Sequence, residues 1–230
     1  MIDAEQSEYR RAIGGGAEAA FISSLDAALA WKEPERLLMG VNAVIIGGSG
    51  EFDLHGGRDE GDPARLTAHE VKSRLQDVIA FILEKNIPIL GICFGHQLIG
   101  DLYGGHVTND HAQKKVGSFP VVLTEEGKRD PLFASMSESF MAQYGHKDSL
   151  TVMPSRAVLL ASSPQCRFSV LRYGQKAYTV QFHPELTAQD VQWKLDHSPG
   201  YLPEGADVSS IVKDSPEASR LIPQFLSIIA

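Results

Sequence analysis

Cysteine is scarce in this 230-residue chain: only Cys93 and Cys166 occur. A disulfide scaffold is excluded, and a thiol kept for its reactivity becomes worth looking for. No stretch approaches the roughly 20 apolar residues of a membrane helix. Residues 1–6 show neither the basic cluster nor the apolar run of a secretory signal. Positive charge is not in excess, with 21 Lys and Arg against 29 Asp and Glu and a net charge of -8. No basic patch stands out to attract nucleic acid or an anionic membrane. Repeats, low-complexity tracts and Pro/Ser-rich linkers are also missing. The expectation is a soluble, cytoplasmic, single domain over residues 1–230, long enough to bury a core.

What is present is a strongly patterned first half. Residues 41–46 form an apolar, β-branched run that ends in Gly47-Gly48-Ser49-Gly50, and residues 87–93 form a second run ending in another glycine-bearing turn. Neither alternates with polar residues, as expected of strands covered on both faces. Between them, Leu66, Val71, Leu75, Val78, Ile79, Ile82 and Leu83 recur at helical spacing, predicting a helix over residues 65–85 that Asn86 and Pro88 terminate. The unit reads as strand–helix–strand with parallel strands. The intervening loop, residues 51–63, is long, charged and glycine-rich, which marks it as functional or mobile.

A short helix is predicted over residues 95–103. Strands follow over residues 119–123, 140–143, 158–162, 168–172 and 177–182, and helices over 188–195 and 218–229. Residues 5–13 read as helix, and Gly14-Gly15-Gly16 breaks the chain. Residues 20–24 suit strand or helix equally. Only Met1-Ile2 is left to supply the strand with which an α/β domain normally opens.

Gly91-Ile92-Cys93-Phe94-Gly95-His96-Gln97 places a cysteine between glycines at a strand-to-helix turn. This is the pattern of a nucleophile elbow. The helix that follows would point its N-terminal N–H groups at the sulfur, which favours the thiolate. The alternative is a small core residue. Gln181-Phe182-His183-Pro184-Glu185 follows another predicted strand, where sites of α/β sheets gather. A histidine there can take the thiol proton, and a carboxylate can fix its tautomer. Gln97, one turn after Cys93, would face the same cleft, whereas the adjacent His96 is turned aside on the helix. His55, His69, His106, His111 and His197 show no metal-ligand spacing, so no metal is expected. Without Gly-Lys-Ser/Thr, the glycine loop is not a P-loop.

Together the two motifs, in this order and spacing, resemble the class I (triad) glutamine amidotransferase family, in particular a stand-alone GMP-synthetase-like glutaminase domain. The resemblance implies a flavodoxin-like, three-layer α/β domain with a central, mostly parallel sheet. It implies a triad at Cys93, His183 and Glu185 that hydrolyses the glutamine side-chain amide through a γ-glutamyl thioester, with no cofactor. It points to the N–H groups of Gly48 and Phe94 as the oxyanion hole, in a loop where the family often carries proline in place of Ser49. It also implies that Gln97 contacts substrate. Gln143-Tyr144-Gly145-His146-Lys147-Asp148 resembles a Ser-His-Gly-Asp segment near the substrate, with departures, which makes Tyr144 and His146 candidate substrate contacts.

Three readings stay open. The first is a glutaminase that hands ammonia to a partner synthetase. The second is a γ-glutamyl peptidase acting on γ-glutamyl conjugates. The third is a regulatory module that no longer turns over, and the intact set of triad residues argues against it.

Overall fold

A computed structural model describes residues 2–197 and 207–229. The chain enters through helix α1 (Ile2–Ile13) rather than a strand. No opening strand is built from Met1-Ile2: Ile2 already belongs to α1, and Met1 lies outside the described residues. Acidic Asp3 and Glu5 in the first turn of α1, and basic Arg10 and Arg11 in its last, suit the helix dipole. A 3-10 turn over Gly14–Gly16 ends it. Residues 20–24 form neither strand nor helix, and the next element is the short helix α2 (Pro34–Leu37).

Strand β1 (Val44–Ile46) is shorter than the apolar run that predicts it. Gly40 sits at φ 78°, and the Val41 N–H closes a turn onto Leu38 O at 3.0 Å, so the run begins in a turn. Helix α3 (Pro63–Glu84) starts where Asp62 accepts the Ala64 N–H and Pro63 supplies a pre-set first turn. It stops at Asn86, which adopts a left-handed φ of 54°, while the Ile87 N–H bonds back to Ile82 O at 2.9 Å. The chain then enters β2 (Ile89–Ile92), parallel to β1.

Helix α4 (Phe94–Leu102) follows at once. The strand-rich part comprises β3 (His106–Thr108), β4 (Lys115–Leu123), β5 (Ser139–His146), β6 (Ser149–Val152), β7 (Ala157–Ser163), β8 (Cys166–Tyr173) and β9 (Ala177–Val180), with a small helix α5 (Glu125–Arg129) after β4. Helices α6 (Ala188–His197), α7 (Val208–Ile211) and α8 (Leu221–Ile229) close the described chain. Among the described residues, no helix is long and apolar enough to cross a membrane.

Among the described residues, seven strands make one sheet in the order β1-β2-β9-β8-β7-β4-β5, and β3 and β6 form a separate ribbon. β1, β2 and β9 run parallel, and the remaining neighbours pair antiparallel. The α/β class with helices on both faces is the expected one. Its parallel part is the corner that carries the site. Side-chain alternation along β2 feeds two cores. Ile89 packs with Val71, Ile79 and Ile82 of α3 and Leu98 and Ile99 of α4, whereas Leu90 and Ile92 pack with Phe225 of α8 and with Tyr9, Ala12 and Ile13 of α1. The C-terminal ends of β2 and β9 lie side by side between these layers, so whatever follows each strand meets the other.

Candidate active site

Cys93 is the residue between β2 and α4, and its backbone is bent to φ 50° and ψ -98°. A non-glycine residue there stores about 1–3 kcal/mol of strain, which persists only where surrounding structure over-determines it. Two features do so. The Cys93 N–H bonds to Val180 O of β9 at 2.8 Å. Gly95 presses so closely on β1 that a Cβ built on it would lie 2.3 Å from Ile46 O, and its N–H bonds to Gly47 O at 3.2 Å. No larger residue fits at position 95.

His183 lies three residues beyond the end of β9, its N–H anchored on Gln143 O at 2.8 Å. Its Nδ1 is 2.7 Å from Oε1 of Glu185. Burial disfavours the charged ring, but Glu185 and Cys93 outweigh it and raise the His183 pKa well above the ordinary histidine value. The glycine loop after β1 lies directly on this pair. A Cβ built on Gly48 would be 2.9 Å from Cε1 of His183 and 3.5 Å from Cβ of Cys93. Phe94, first residue of α4, leaves its N–H outside the helix's own ladder, immediately after the sulfur. Cys93, His183, Glu185, Gly48 and Phe94 are therefore brought together.

The thiol faces a cavity of about 20 Å³ lined by Ser49, Phe52, Phe94, Gln97, His146 and Asp148, among others. Gln97 reaches it, but its Nε2 is engaged by Asp148 O at 2.7 Å and by Oε1 of Gln181 at 3.3 Å. His146 also lines it. Its Nδ1 bonds to Asp148 O at 3.0 Å, which puts the ring proton on Nδ1, and its Nε2 has no partner. Burial lowers the His146 pKa to about 3. The ring is thus neutral and presents a bare acceptor.

Tyr144 is not brought to the cavity. It is 2% exposed, its ring meets Phe119 and Phe182 edge-on, and its hydroxyl is 2.5 Å from Ser169 Oγ. It is a core residue, and the wall is built instead from Gly145, His146, Lys147 and Asp148. His96 is fully buried against Thr179 Oγ1 at 2.8 Å, on the far side of the elbow helix. Cys166 is buried too, its thiol pushed up to about 12 by desolvation.

Sequence reasoning overlooked two groups. Gln181, inside the second motif, directs Nε2 at the Cys93 sulfur, 3.7 Å away. Asp148 accepts the N–H groups of His55 and Gly56, each at 2.7 Å, and so pins the 51–62 loop across the cavity. Phe52 from that loop meets Phe94 edge-on at 5.0 Å. The positive φ of Gly56 and Gly57 is the local signal of that turn.

A family model described as glutamine amidotransferase class-I matches residues 62–193, more than half of the chain. Over 184 residues the chain is 30% identical to the glutamine amidotransferase-like protein YfeJ of Salmonella typhimurium, covering 76% of each. Over 114 residues it is 33% identical to one subunit of the glutamine-hydrolyzing GMP synthase of Methanosphaera stadtmanae, covering 49% of this chain and 59% of that one. A solved glutamine amidotransferase from Thermotoga maritima matches 82% of this chain and 77% of its own with a TM-score of 0.63; at 22% identity it bears on the fold alone. The fold is that of these enzymes, and the chain belongs to the class I glutamine amidotransferase family.

Proposed function

We propose that this chain hydrolyses the side-chain amide of L-glutamine through a γ-glutamyl thioester on Cys93 and releases ammonia. One observation carries the reading: Cys93 is held at a strained elbow beside a histidine that is bonded to a carboxylate at 2.7 Å. The alternative of a small core cysteine gives no reason for that strain.

In the proposed cycle, His183 takes the thiol proton and the thiolate attacks the γ-carbonyl carbon. Charge collects on the carbonyl oxygen, where the N–H groups of Gly48 and Phe94 receive it. Removing one such donor typically costs about 10²–10³ in rate. The imidazolium then protonates the departing ammonia, and Glu185 stabilises that cation and fixes the tautomer. Water, deprotonated by His183, opens the thioester, releases glutamate and restores the thiol. The neutral His146, with its bare Nε2, suits the α-ammonium of the substrate. The cavity of about 20 Å³ has room for about one water, so glutamine entry goes with a widening of its walls, of which the 51–62 loop held by Asp148 is one. One relative is by name a subunit of GMP synthase, and by that analogy a partner synthetase is the proposed recipient of ammonia.

The test is ammonia release from L-glutamine by the purified chain, beside γ-glutamyl peptides, for wild type and Cys93→Ala. Release that falls to background in the variant, with an unchanged circular dichroism spectrum, is expected. Undiminished release from Cys93→Ala would end the proposal. Cleavage of γ-glutamyl peptides alone would move the substrate to the peptidase class.

A further inference from the structure

Helix α1 touches both halves of the site. Arg11 forms an ion pair with Asp190 and donates from Nη2 to Glu185 O at 3.2 Å. Asp190 in turn accepts from the N–H and Oγ1 of Thr187, so α1 clamps the turn that carries Glu185. A second pair, Glu8 with Lys194 at 3.1 Å, ties α1 to α6. Between these tethers, Tyr9 points into the site. A Cβ built on Gly47 would lie 2.9 Å from its hydroxyl oxygen and 3.3 Å from the ring carbon that bears it, so only glycine lets the phenol back this loop.

Two buried polar atoms near this loop lack a well-aligned hydrogen-bond partner: the Tyr9 hydroxyl, which the Gly48 N–H approaches, and Oε2 of Glu185. Such groups are few in native proteins, and each calls for an explanation. The two are complementary, because a phenol carries a proton to donate and a carboxylate oxygen only accepts. They also sense each other. Burial raises the Tyr9 pKa well above the ordinary phenol value, and Glu185 is the charge that adds most to the rise. The Gly48 N–H opposes it, while Cys93 and Glu5 add less.

Resting on the glutaminase reading above, we propose that Tyr9 is a positioning residue of this site. Its ring backs the glycine loop at Gly47, and its hydroxyl supplies Oε2 of Glu185 with a hydrogen bond, directly after a small rotation or through one water. Oε1 of Glu185 is held by His183; the second bond would stop the carboxylate from turning about its axis. Tyr9 acts through Glu185 and does not touch substrate.

The test compares wild type, Tyr9→Phe and Tyr9→Ala in two assays at matched thermal stability. One is glutamine hydrolysis, resolved into kcat and KM. The other is the rate of Cys93 alkylation by iodoacetamide at pH 6.5, which needs no substrate. Tyr9→Phe keeps the ring, so it is expected to fold normally. Its kcat and its alkylation rate are expected to fall about tenfold at unchanged KM, the worth of one hydrogen bond. Tyr9→Ala is expected to fall further. Wild-type values in Tyr9→Phe overturn the proposal, whether or not Tyr9→Ala is impaired, since the hydroxyl would then do nothing. A wild type that hydrolyses no amide counts against the glutaminase reading instead, and the alkylation comparison still decides the role of Tyr9.

Discussion

Gly48→Ala is the sharpest perturbation the geometry offers. The backbone at Gly48 needs no positive φ, so alanine is allowed there in principle. The obstacle is the methyl group, which would lie 2.9 Å from Cε1 of His183, where ordinary contact begins near 3.4 Å. The ring or the loop must give by about 0.5 Å. His183 has little freedom, since its N–H is fixed to Gln143 O at 2.8 Å and its Nδ1 to Glu185 at 2.7 Å. A misplacement of about 1 Å costs about 10² in rate, so half of that predicts a kcat about tenfold lower, with KM little changed. Overpacking costs about 1–3 kcal/mol, and the stiffer unfolded chain returns about 0.4–1. The net is a loss of about 1–2 kcal/mol, too small to unfold a domain of ordinary stability. Steady-state ammonia release and urea unfolding measure both numbers. A variant with kcat within threefold of wild type refutes the packing argument; so does one that loses activity only because it unfolds.

Three further expectations follow from the same contacts. Glu185 is the largest influence raising the His183 pKa, so in Glu185→Gln the ring gives up its proton at lower pH and the limb of the rate–pH profile that reports His183 is expected to move to lower pH; an unmoved profile contradicts the pairing. His96 and His146 are held neutral, each with a folded pKa lowered to about 3 by burial. The unfolded chain then binds more protons below about pH 6.5, and stability is lost as pH falls from there toward 3, at up to about 1.4 kcal/mol per pH unit for each ring. Urea titrations from pH 7 to 4 should show this slope, reduced by one ring's share in His96→Gln. Finally, Asp148→Ala removes two charge-assisted bonds to the 51–62 loop, each worth about 1.5–3 kcal/mol. Amide exchange at His55 and Gly56 should accelerate at least about tenfold, and unchanged exchange would show that Asp148 does not hold the loop.

What was legible in the sequence was local. The β1–α3–β2 unit is written in a 3.6-residue period, a capping Asp62-Pro63 and a left-handed Asn86, all within one stretch of chain. The elbow and the His-Pro-Glu turn are each a few residues long, and the parallel pairing of β2 with β9 joins them. Contacts made across the fold were not legible. Lys115 begins β4 although its charge suggests a solvated loop; its ammonium is buried under the Phe119 and Tyr144 rings, 4.6 and 4.5 Å from their centres. Tyr144 and His146 looked equivalent in one motif, yet the strand carries one into the core and the other to the cavity. The β3–β6 ribbon is too short to show a period. Tyr9 sits in an amphipathic helix whose burial against a glycine loop nothing local announces.

The measurement that bears most directly on the central claim is intact-mass and peptide-mapping spectrometry of the chain, acid-quenched during incubation with L-glutamine or after reaction with a glutamine-analogue electrophile. One adduct is predicted, on Cys93, absent from Cys93→Ala. An adduct on Cys166, or none on a folded chain under either condition, would contradict the claim.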